Sequence, residues 1–521
     1  MPIGSYLIAF VLGLIFSLAF SPFGLWPLFL MLIPLFIIIA NTEKARHAYN
    51  IGFFFALAFF GAHILWLPKS LSAPTLFGLI AWMIYPPLII AEGAIYGFMI
   101  YLTRKIAGKG RSVLWLLPLF WVILEWTRTQ GPLAFPWGSI AYIWVNTPLA
   151  QLAEYGGVYG LSLVTLIMVS LLSVSFISAD TTDRMFLRRR DKRGYLTAIM
   201  ALLIFLAAYG YGFSRLAEKP TTPDKTALLV QGNTDPLGRA RGESNDFEVY
   251  IQLSKKHLAG KGVDLVVWPE GAIIDGGIEG IQGESRRYEI NDASNGSRLI
   301  TGASVWEYFP DGYKNYNAVF GLKDAHIIGR YNKYYLVPFG EALVFSSVLM
   351  PLYKVIFSWF KLGAYERLPG KTIEPIAMGE IVAASYVCYE SVFPQVAGNM
   401  VKKGANVLVN ISNDAWFGKG GGAKQHFDMG KMRAIETRRY ILRAGNDGIT
   451  AIINPLGRTD NRIERFERNA LGGKFALSNE ITFYVKYGQL YIWVLLAAAA
   501  LLATVILIRN SLRRRAVEML Y

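Results

Sequence analysis

Cys388 is the only cysteine among 521 residues, and it ends an apolar run, Ile381-Val-Ala-Ala-Ser-Tyr-Val-Cys-Tyr-Glu390. A lone cysteine can form no intramolecular disulfide, so it is either an inert buried thiol or a nucleophile. A free thiol titrates near about 8.5, so an active one needs a base or a positive charge beside it. Candidates for both lie in the same polar stretch. Glu270 sits in Val266-Val-Trp-Pro-Glu-Gly271. Lys333 closes Arg330-Tyr-Asn-Lys333, just ahead of Leu336-Val-Pro-Phe-Gly-Glu341. A carboxylate can take a thiol proton, and an ammonium can stabilise the anion that develops on an attacked carbonyl. Together they would suit attack of a thiol on a carbonyl. Taken singly, each has a plainer reading: a core cysteine, a solvated glutamate, a surface lysine. The five histidines are scattered without paired spacing, so no metal is expected, and Gly420-Gly-Gly422 lacks the Lys-Ser/Thr of a phosphate loop. No cofactor is expected either.

The rest of the chain is unlike a soluble enzyme. Hydrophobic residues make up 53%, charged residues only 17%, and mean hydropathy is +0.35. The net charge is +15, but the basic residues cluster in short loops between apolar runs. That pattern is membrane topology rather than a nucleic-acid footprint. Crossing a bilayer takes about 20 mostly apolar residues. Eight runs qualify, near residues 4–20, 24–40, 50–68, 77–103, 112–127, 157–179, 195–214 and 488–508. Lys44 and Arg46, then Arg104, Lys105, Lys109 and Arg111, then the basic loop 184–193, then Arg509 and Arg513 to Arg515 occupy alternate connections. The positive-inside rule puts these in the cytoplasm, with both termini. The chain then divides into a seven-span membrane part (1–217), an outer-side domain (218–486), and an eighth span with a basic tail (487–521).

The outer segment reads as alternating strands and helices. Strands are expected over Thr226–Gln231, Val263–Trp268, Arg298–Val305, Ala318–Leu322, His326–Tyr331, Ile381–Cys388, Asn406–Ile411 and Gly448–Ile453. One helical face runs from Phe247 to Leu258 and a longer helical pattern from about His426 to Arg443. The class is α+β beside a multi-span α-helical membrane part. Glu270, Lys333 and Cys388 each fall at or just past a strand end, where residues distant in sequence can converge. Residues 342–363 are rich in large apolar side chains, with Lys354 and Lys361 among them. They read equally as a buried helix or as an amphipathic arm lying on a bilayer. Glu125 and Arg128 fall near the outer end of the fifth span. They could contact a lipid headgroup or simply sit at the interface.

These motifs resemble the nitrilase superfamily, which carries a Glu-Lys-Cys triad on an αββα sandwich. Such a domain between seven spans and one span is similar to the apolipoprotein N-acyltransferase family. Val230-Gln-Gly-Asn233, Leu336-Val-Pro-Phe-Gly-Glu341, Cys388-Tyr-Glu390 and Asn410-Ile-Ser-Asn-Asp-Ala-Trp-Phe-Gly418 carry that likeness, with Glu125-Trp126 and Phe135-Pro-Trp137 in the membrane part. Two departures stand out. Loop 234–242 has no aromatic where the family often has a tryptophan, and Tyr335 stands where a histidine is usual. The resemblance implies a triad of Glu270 as base, Lys333 as oxyanion stabiliser and Cys388 as nucleophile. It implies an acyl donor phospholipid, cut at sn-1, and a diacylglyceryl apolipoprotein as acceptor, with a thioester between. It implies a multi-pass protein of the bacterial inner membrane, with the catalytic domain periplasmic, and nothing demands more than a monomer. Glu341 would orient Lys333 or the amine, and Tyr389 and Glu390 would shape the pocket behind the thiol. Trp416 and Phe417 would line the acyl path or pack in the core. Trp137 would belong to a docking loop or an aromatic belt. Two rival readings remain: a tethered amidase hydrolysing small amides, and a transporter with an inactive appended domain.

Overall fold

The computed structural model describes the chain apart from residues 1, 70–75, 178–191, 220, 236–245, 275–276, 311, 360–366 and 519–521. Most of the basic loop 184–193, loop residues 236–242 and the end of the 342–363 arm lie outside the described residues. Among the described residues, seven α-helices precede the first strand: α1 (Pro2–Ser17), α2 (Leu32–Asn41), α3 (Ala45–His63), α4 (Leu76–Ala107), α5 (Ser112–Thr127), α6 (Ala153–Val174) and α7 (Lys192–Ala217). Over the described residues, each apolar run expected to span is largely helical. Five helical segments are long and apolar enough to cross a membrane: Ala45–Lys69, Ala81–Ala107, Pro148–Val174, Gly194–Ala217 and Phe483–Leu512. Ile3–Ser17, Trp26–Asn41 and Ser112–Thr127 are shorter than a full crossing. Helices α1 and α3 pack backbone to backbone at Gly13, where an added Cβ would lie 2.2 Å from the Phe55 carbonyl oxygen. Only a residue without a side chain permits that approach.

Twelve strands follow, in two six-stranded mixed sheets. The first has the order β12-β1-β2-β3-β4-β5, the second β11-β10-β9-β8-β7-β6. In the first sheet β1 (Lys225–Gln231), β2 (Leu265–Val267) and β3 (Arg298–Phe309) run parallel, and β4 (Gly312–Lys323) and β5 (His326–Asn332) continue it antiparallel. In the second sheet β6 (Ile376–Met378) pairs antiparallel with β7 (Ile381–Val387). Strands β7, β8 (Val407–Ser412) and β9 (Ile441–Gly445) run parallel. Strands β10 (Thr450–Ile453) and β11 (Thr459–Ile463) complete it, and β12 (Asn469–Phe475) returns to the first sheet beside β1. Both sheets therefore share one pairing sequence, antiparallel, parallel, parallel, antiparallel, antiparallel, a repeat of topology that the side-chain sequence does not display.

Strand alternation builds the layers. Ala227 and Leu229 of β1, with Leu265 and Val267 of β2, face the second sheet. Leu228, Val230 and Val266 face the opposite way, onto Tyr250, Ile251 and Leu258 of α8 (Asp246–Leu258) and Ile290 of α9 (Gln282–Ala293). Helices α11 (Pro394–Lys402) and α12 (Gly422–Thr437) cover the second sheet, giving the expected αββα order. Ahead of α11 in sequence, α10 (Ser346–Trp359) is the helical part of the apolar arm, and after α12 comes α13 (Phe483–Glu518), the last apolar helix. Leu343 and Val344 at the arm's root are buried, while Phe345, Val348 and Val355 are exposed.

The helical pattern expected to run to Arg443 stops at Thr437. Arg438 takes a left-handed conformation (φ 51°) and caps α12, and Ile441–Gly445 is strand β9 inside the second sheet. The branched pair Ile441-Leu442 fits a buried strand, and the left-handed residue marks the change of direction. Strands β6, β11 and β12 were also not expected. The first is only three residues long, and β12 carries Gly472-Gly473, which interrupt any alternation.

Candidate active site

The three candidate residues converge at one end of the sandwich. Glu270 lies on the turn after β2. Gly302 on β3 allows that turn to sit close, since an added Cβ would lie 2.8 Å from the Glu270 Cα. Lys333 directly follows β5. Its N–H donates to the Asn317 carbonyl (2.8 Å) and its carbonyl accepts from the Gly370 N–H (2.8 Å). Cys388 directly follows β7 and holds φ at +48°, an uncommon value for a side-chain-bearing residue and one that occurs at functional turns.

Lys333 Nζ lies 2.7 Å from Glu341 Oε2 and 3.6 Å from Glu270 Oε1, and its side chain is 1% exposed. Burial works against its charge, but the Glu341 and Glu270 carboxylates outweigh that and raise its pKa, so it stays an ammonium. Glu341 moves the other way. Burial pushes its pKa up, but Lys333 and Arg367 hold it down as a carboxylate. Glu270 is fixed by two donors. Asn317 Nδ2 donates to Oε1 (2.7 Å) and the Asn413 N–H to Oε2 (2.9 Å). The same Asn317 amide reaches Glu341 Oε1 at 2.9 Å, so one side chain sets the spacing of both carboxylates. Burial and the Glu270 charge push the Cys388 thiol well above the ordinary range, while Lys333 pulls it down less strongly. The resting group is a thiol, and attack requires a base. The arrangement can therefore move a proton from Cys388 to Glu270 while Lys333 meets a developing oxyanion.

Behind the thiol, Glu390 is fully buried and accepts four hydrogen bonds. Val387 N–H donates to Oε2 (2.8 Å). Tyr331 hydroxyl (2.6 Å), Tyr334 N–H (2.7 Å) and Tyr335 N–H (3.2 Å) donate to Oε1. One carboxylate thus joins the turn that carries Cys388 to the loop that carries Lys333.

Two family models divide the chain. Residues 12–171 match the apolipoprotein N-acyltransferase N-terminal domain, and residues 226–477 match carbon-nitrogen hydrolase. The apolipoprotein N-acyltransferase of Geobacter metallireducens is 30% identical over 528 aligned positions, covering 99% of this chain and 97% of that one. That of Vibrio cholerae is 29% identical and covers 94% and 95%. The chain belongs to the apolipoprotein N-acyltransferase family. Among solved structures, the Saccharomyces cerevisiae nitrilase-superfamily protein Nit3 aligns with half of this chain and 92% of its own, at 16% identity and a TM-score of 0.36.

In this acyltransferase-family chain the aromatic wall beside the Cys388 turn comes from both parts of the molecule. The Tyr389 hydroxyl donates to the Ala134 carbonyl (2.6 Å), and its ring stacks on Trp137 at 5.8 Å. Trp137 is buried, and its Nε1 donates to Gln425 Oε1 of α12 (3.1 Å). Trp66 Nε1 donates to the same oxygen (2.8 Å). Phe417 packs edge-on against Trp66 at 4.9 Å, whereas Trp416 is 40% exposed. So Trp137, Tyr389 and Phe417 share one aromatic cluster, and Trp416 lies outside its packed core. Tyr335 stacks on Phe393 at 4.2 Å. Arg128 is paired with Glu92 (2.8 Å), donates to the Trp137 carbonyl (2.9 Å) and is buried. Glu125 is buried too, accepting from the Ile140 N–H (2.9 Å). Both are internal supports of the loop that carries Trp137.

Asn317, Asn413, Trp66, Gln425 and His426 were not singled out in the sequence. Asn413 lies within a stretch already marked by likeness. Trp66, Gln425 and Asn317 carry no local signal, because their partners are remote in sequence. Cys388, Asp414 and His426 bring possible ligand atoms within 4.8 Å of one another. Both His426 nitrogens already face protein oxygens and Asp414 already pairs with Arg443 (2.7 Å), so these donors are committed to one another.

Proposed function

We propose that this protein moves a fatty acyl chain from a membrane phospholipid to the N-terminal α-amine of a diacylglyceryl-cysteine on an apolipoprotein. The observation that carries the reading is the meeting of Glu270, Lys333 and the burial-raised thiol of Cys388, under an aromatic wall. In the first step Glu270 takes the thiol proton as sulfur attacks the ester carbonyl at sn-1. Lys333 faces the oxyanion. Collapse breaks the ester C–O bond, the lysophospholipid leaves with the proton from Glu270, and a Cys388 thioester remains. In the second step the acceptor amine attacks the thioester and gives its proton to Glu270. The C–S bond breaks and Cys388 regains a proton. Glu341 holds Lys333 as an ammonium throughout, so Lys333 acts as a fixed charge and not as a base. The aromatic wall keeps water from the thioester between steps.

In this reading residues 218–486 form the catalytic domain on the periplasmic side of the bacterial inner membrane, and the protein works as a monomer. Residues 1–217 and 487–521 hold it in the bilayer. The exposed apolar residues at the start of α10 give lipid a surface by which to enter. Intact mass spectrometry of protein incubated with phospholipid vesicles tests this, with Cys388→Ser alongside. A fatty-acyl gain on the wild type alone, removed by hydroxylamine and discharged as an amide onto a diacylglyceryl-cysteine peptide, is expected. Absence of the adduct with release of ammonia from small amides would replace the proposal with the amidase.

A further inference from the structure

The nucleophile's conformation needs a cause. Cys388 holds φ at +48°, a left-handed conformation that persists in a side-chain-bearing residue only where its surroundings impose it. Its N-terminal neighbour Val387 is pinned through Glu390. Its own carbonyl meets His426 Nε2 at 2.9 Å. A carbonyl oxygen only accepts, so the Nε2 hydrogen points at it. The other ring nitrogen, Nδ1, lies 2.9 Å from Asp414 Oδ1. Asp414 is held in turn by the Ser412 hydroxyl (2.6 Å) and by Arg443 (2.7 Å). The ring is fully buried, packs against Phe417 at 5.3 Å and stacks on Trp137 at 6.4 Å, and Ser391 Oγ sits 2.9 Å from Nε2. Nδ1 also lies 3.3 Å from the Arg443 guanidinium, a donor to it, which leaves the single hydrogen of the neutral ring on Nε2, between the Cys388 carbonyl and Ser391 Oγ.

We propose that His426, oriented by Asp414, is a positioning residue for Cys388: its hydrogen bond to the Cys388 carbonyl holds the left-handed turn that presents the thiol to Glu270 and Lys333. The inference rests on Cys388 being the acylated residue. His426 touches neither substrate nor the reacting sulfur in this role; it acts through the backbone. Without the bond the turn loses the anchor on the Cys388 carbonyl itself, and the thiol moves away from Glu270. A displacement near 1 Å at a reacting atom costs on the order of 100-fold in rate.

The test compares His426→Phe, which keeps a ring but has no donor, with His426→Gln, whose amide nitrogen can reach the same carbonyl. The readout is the rate of acyl-mass gain from phosphatidylethanolamine vesicles across a range of lipid concentration. His426→Phe is expected to lose about 100-fold in the saturated rate with an unchanged half-saturating lipid concentration, and His426→Gln to recover about tenfold of that. His426→Asn, too short to reach the carbonyl, replaces His426→Phe if the latter does not fold. Wild-type rates in the donor-less variant would overturn the proposal. So would equal losses in the Gln and donor-less variants, or a loss carried by half-saturation, because either would mean that the ring only fills space. A wild-type protein that gains no acyl mass on Cys388 would instead remove the nucleophile reading, and this inference with it.

Discussion

Glu390 offers a sharp test of how the site is assembled, because its replacement by glutamine changes one atom. Glutamine keeps a single acceptor oxygen where the carboxylate has two. If that oxygen serves Tyr331, Tyr334 and Tyr335, the new NH2 points at the Val387 N–H, a donor placed 2.8 Å away. If the amide turns over, the NH2 meets the three donors instead, which is worse. The first arrangement therefore sets the minimum loss. One charge-assisted bond disappears and one buried N–H goes without a partner, a cost of about 1–3 kcal/mol, and two N–H groups that face each other must separate by on the order of 1 Å, the scale at which positioning costs about 100-fold. Val387 is the residue before Cys388, so that displacement passes directly to the thiol. We expect Glu390→Gln to acylate from phospholipid vesicles at roughly one hundredth of the wild-type rate, by the same positional argument. Tyr331→Phe removes one donor of four without creating a clash and is expected to lose less than about tenfold. The assay is the time course of acyl-mass gain, with a thermal melt on each variant to show that it folds. A folded Glu390→Gln protein acylating within about threefold of wild type would refute the claim that this carboxylate ties thiol and lysine together.

The same geometry gives opposed results for two neighbours of the thiol. Glu270 raises the Cys388 pKa and Lys333 lowers it. With a raised pKa the thiolate fraction is small at neutral pH and grows only as pH climbs above the ordinary thiol range. Iodoacetamide labelling of Cys388 at pH 8 is thus expected to be slower than that of a free cysteine and to rise steeply with pH. Glu270→Gln should label faster than wild type at that pH yet transfer no acyl group, and faster transfer by that variant would overturn its role as base. Lys333→Met should label more slowly than wild type and also lose transfer, by about 100-fold or more, as expected for a missing oxyanion donor. Asn317→Leu, which strips a donor from both Glu270 and Glu341, is expected to slow acylation at least tenfold. An unchanged rate there would show that the two carboxylates need no bridge.

Much of this fold was legible because apolar length and strand alternation are local signals. The apolar runs became helices, and each triad candidate fell at a strand end. What stayed hidden was non-local. The second half of the expected long helix became β9, because Arg438 takes a left-handed turn that its own residue type does not announce. Edge strands such as β12, carrying Gly472-Gly473, have no alternation to read. The site shows the same division. Cys388 stood out as a solitary reactive type, and Glu270 and Lys333 by their motifs. Asn317 matters only because β4 sets it beside the turn after β2, and Trp66 only because Gln425, far along the chain, offers it an oxygen. Arg128 and Glu125 were ambiguous in sequence since a headgroup contact and an internal pair use the same residue types; their burial decides for the internal role.

The location of the aromatic wall bears on why this chemistry is joined to a membrane part at all. Trp137 and Ala134 belong to the loop after α5, yet they stack on Tyr389 and accept its hydroxyl, one residue from the thiol. Arg128 holds the Trp137 carbonyl from below, and Trp66 at the end of the span begun by α3 meets Gln425 on α12. Residues of the membrane part therefore pack directly against the residue that follows the thiol and against α12. An acyl-thioester facing open water would be exposed to hydrolysis before a bulky lipid-bearing amine arrived. Trp137→Ala, made in the full-length protein, opens that wall without touching Glu270, Lys333 or Cys388. Its thioester should still form but should decay to free fatty acid in the absence of acceptor, several-fold faster than in the wild type. Equal lifetimes would show that the wall positions substrate and does not exclude water.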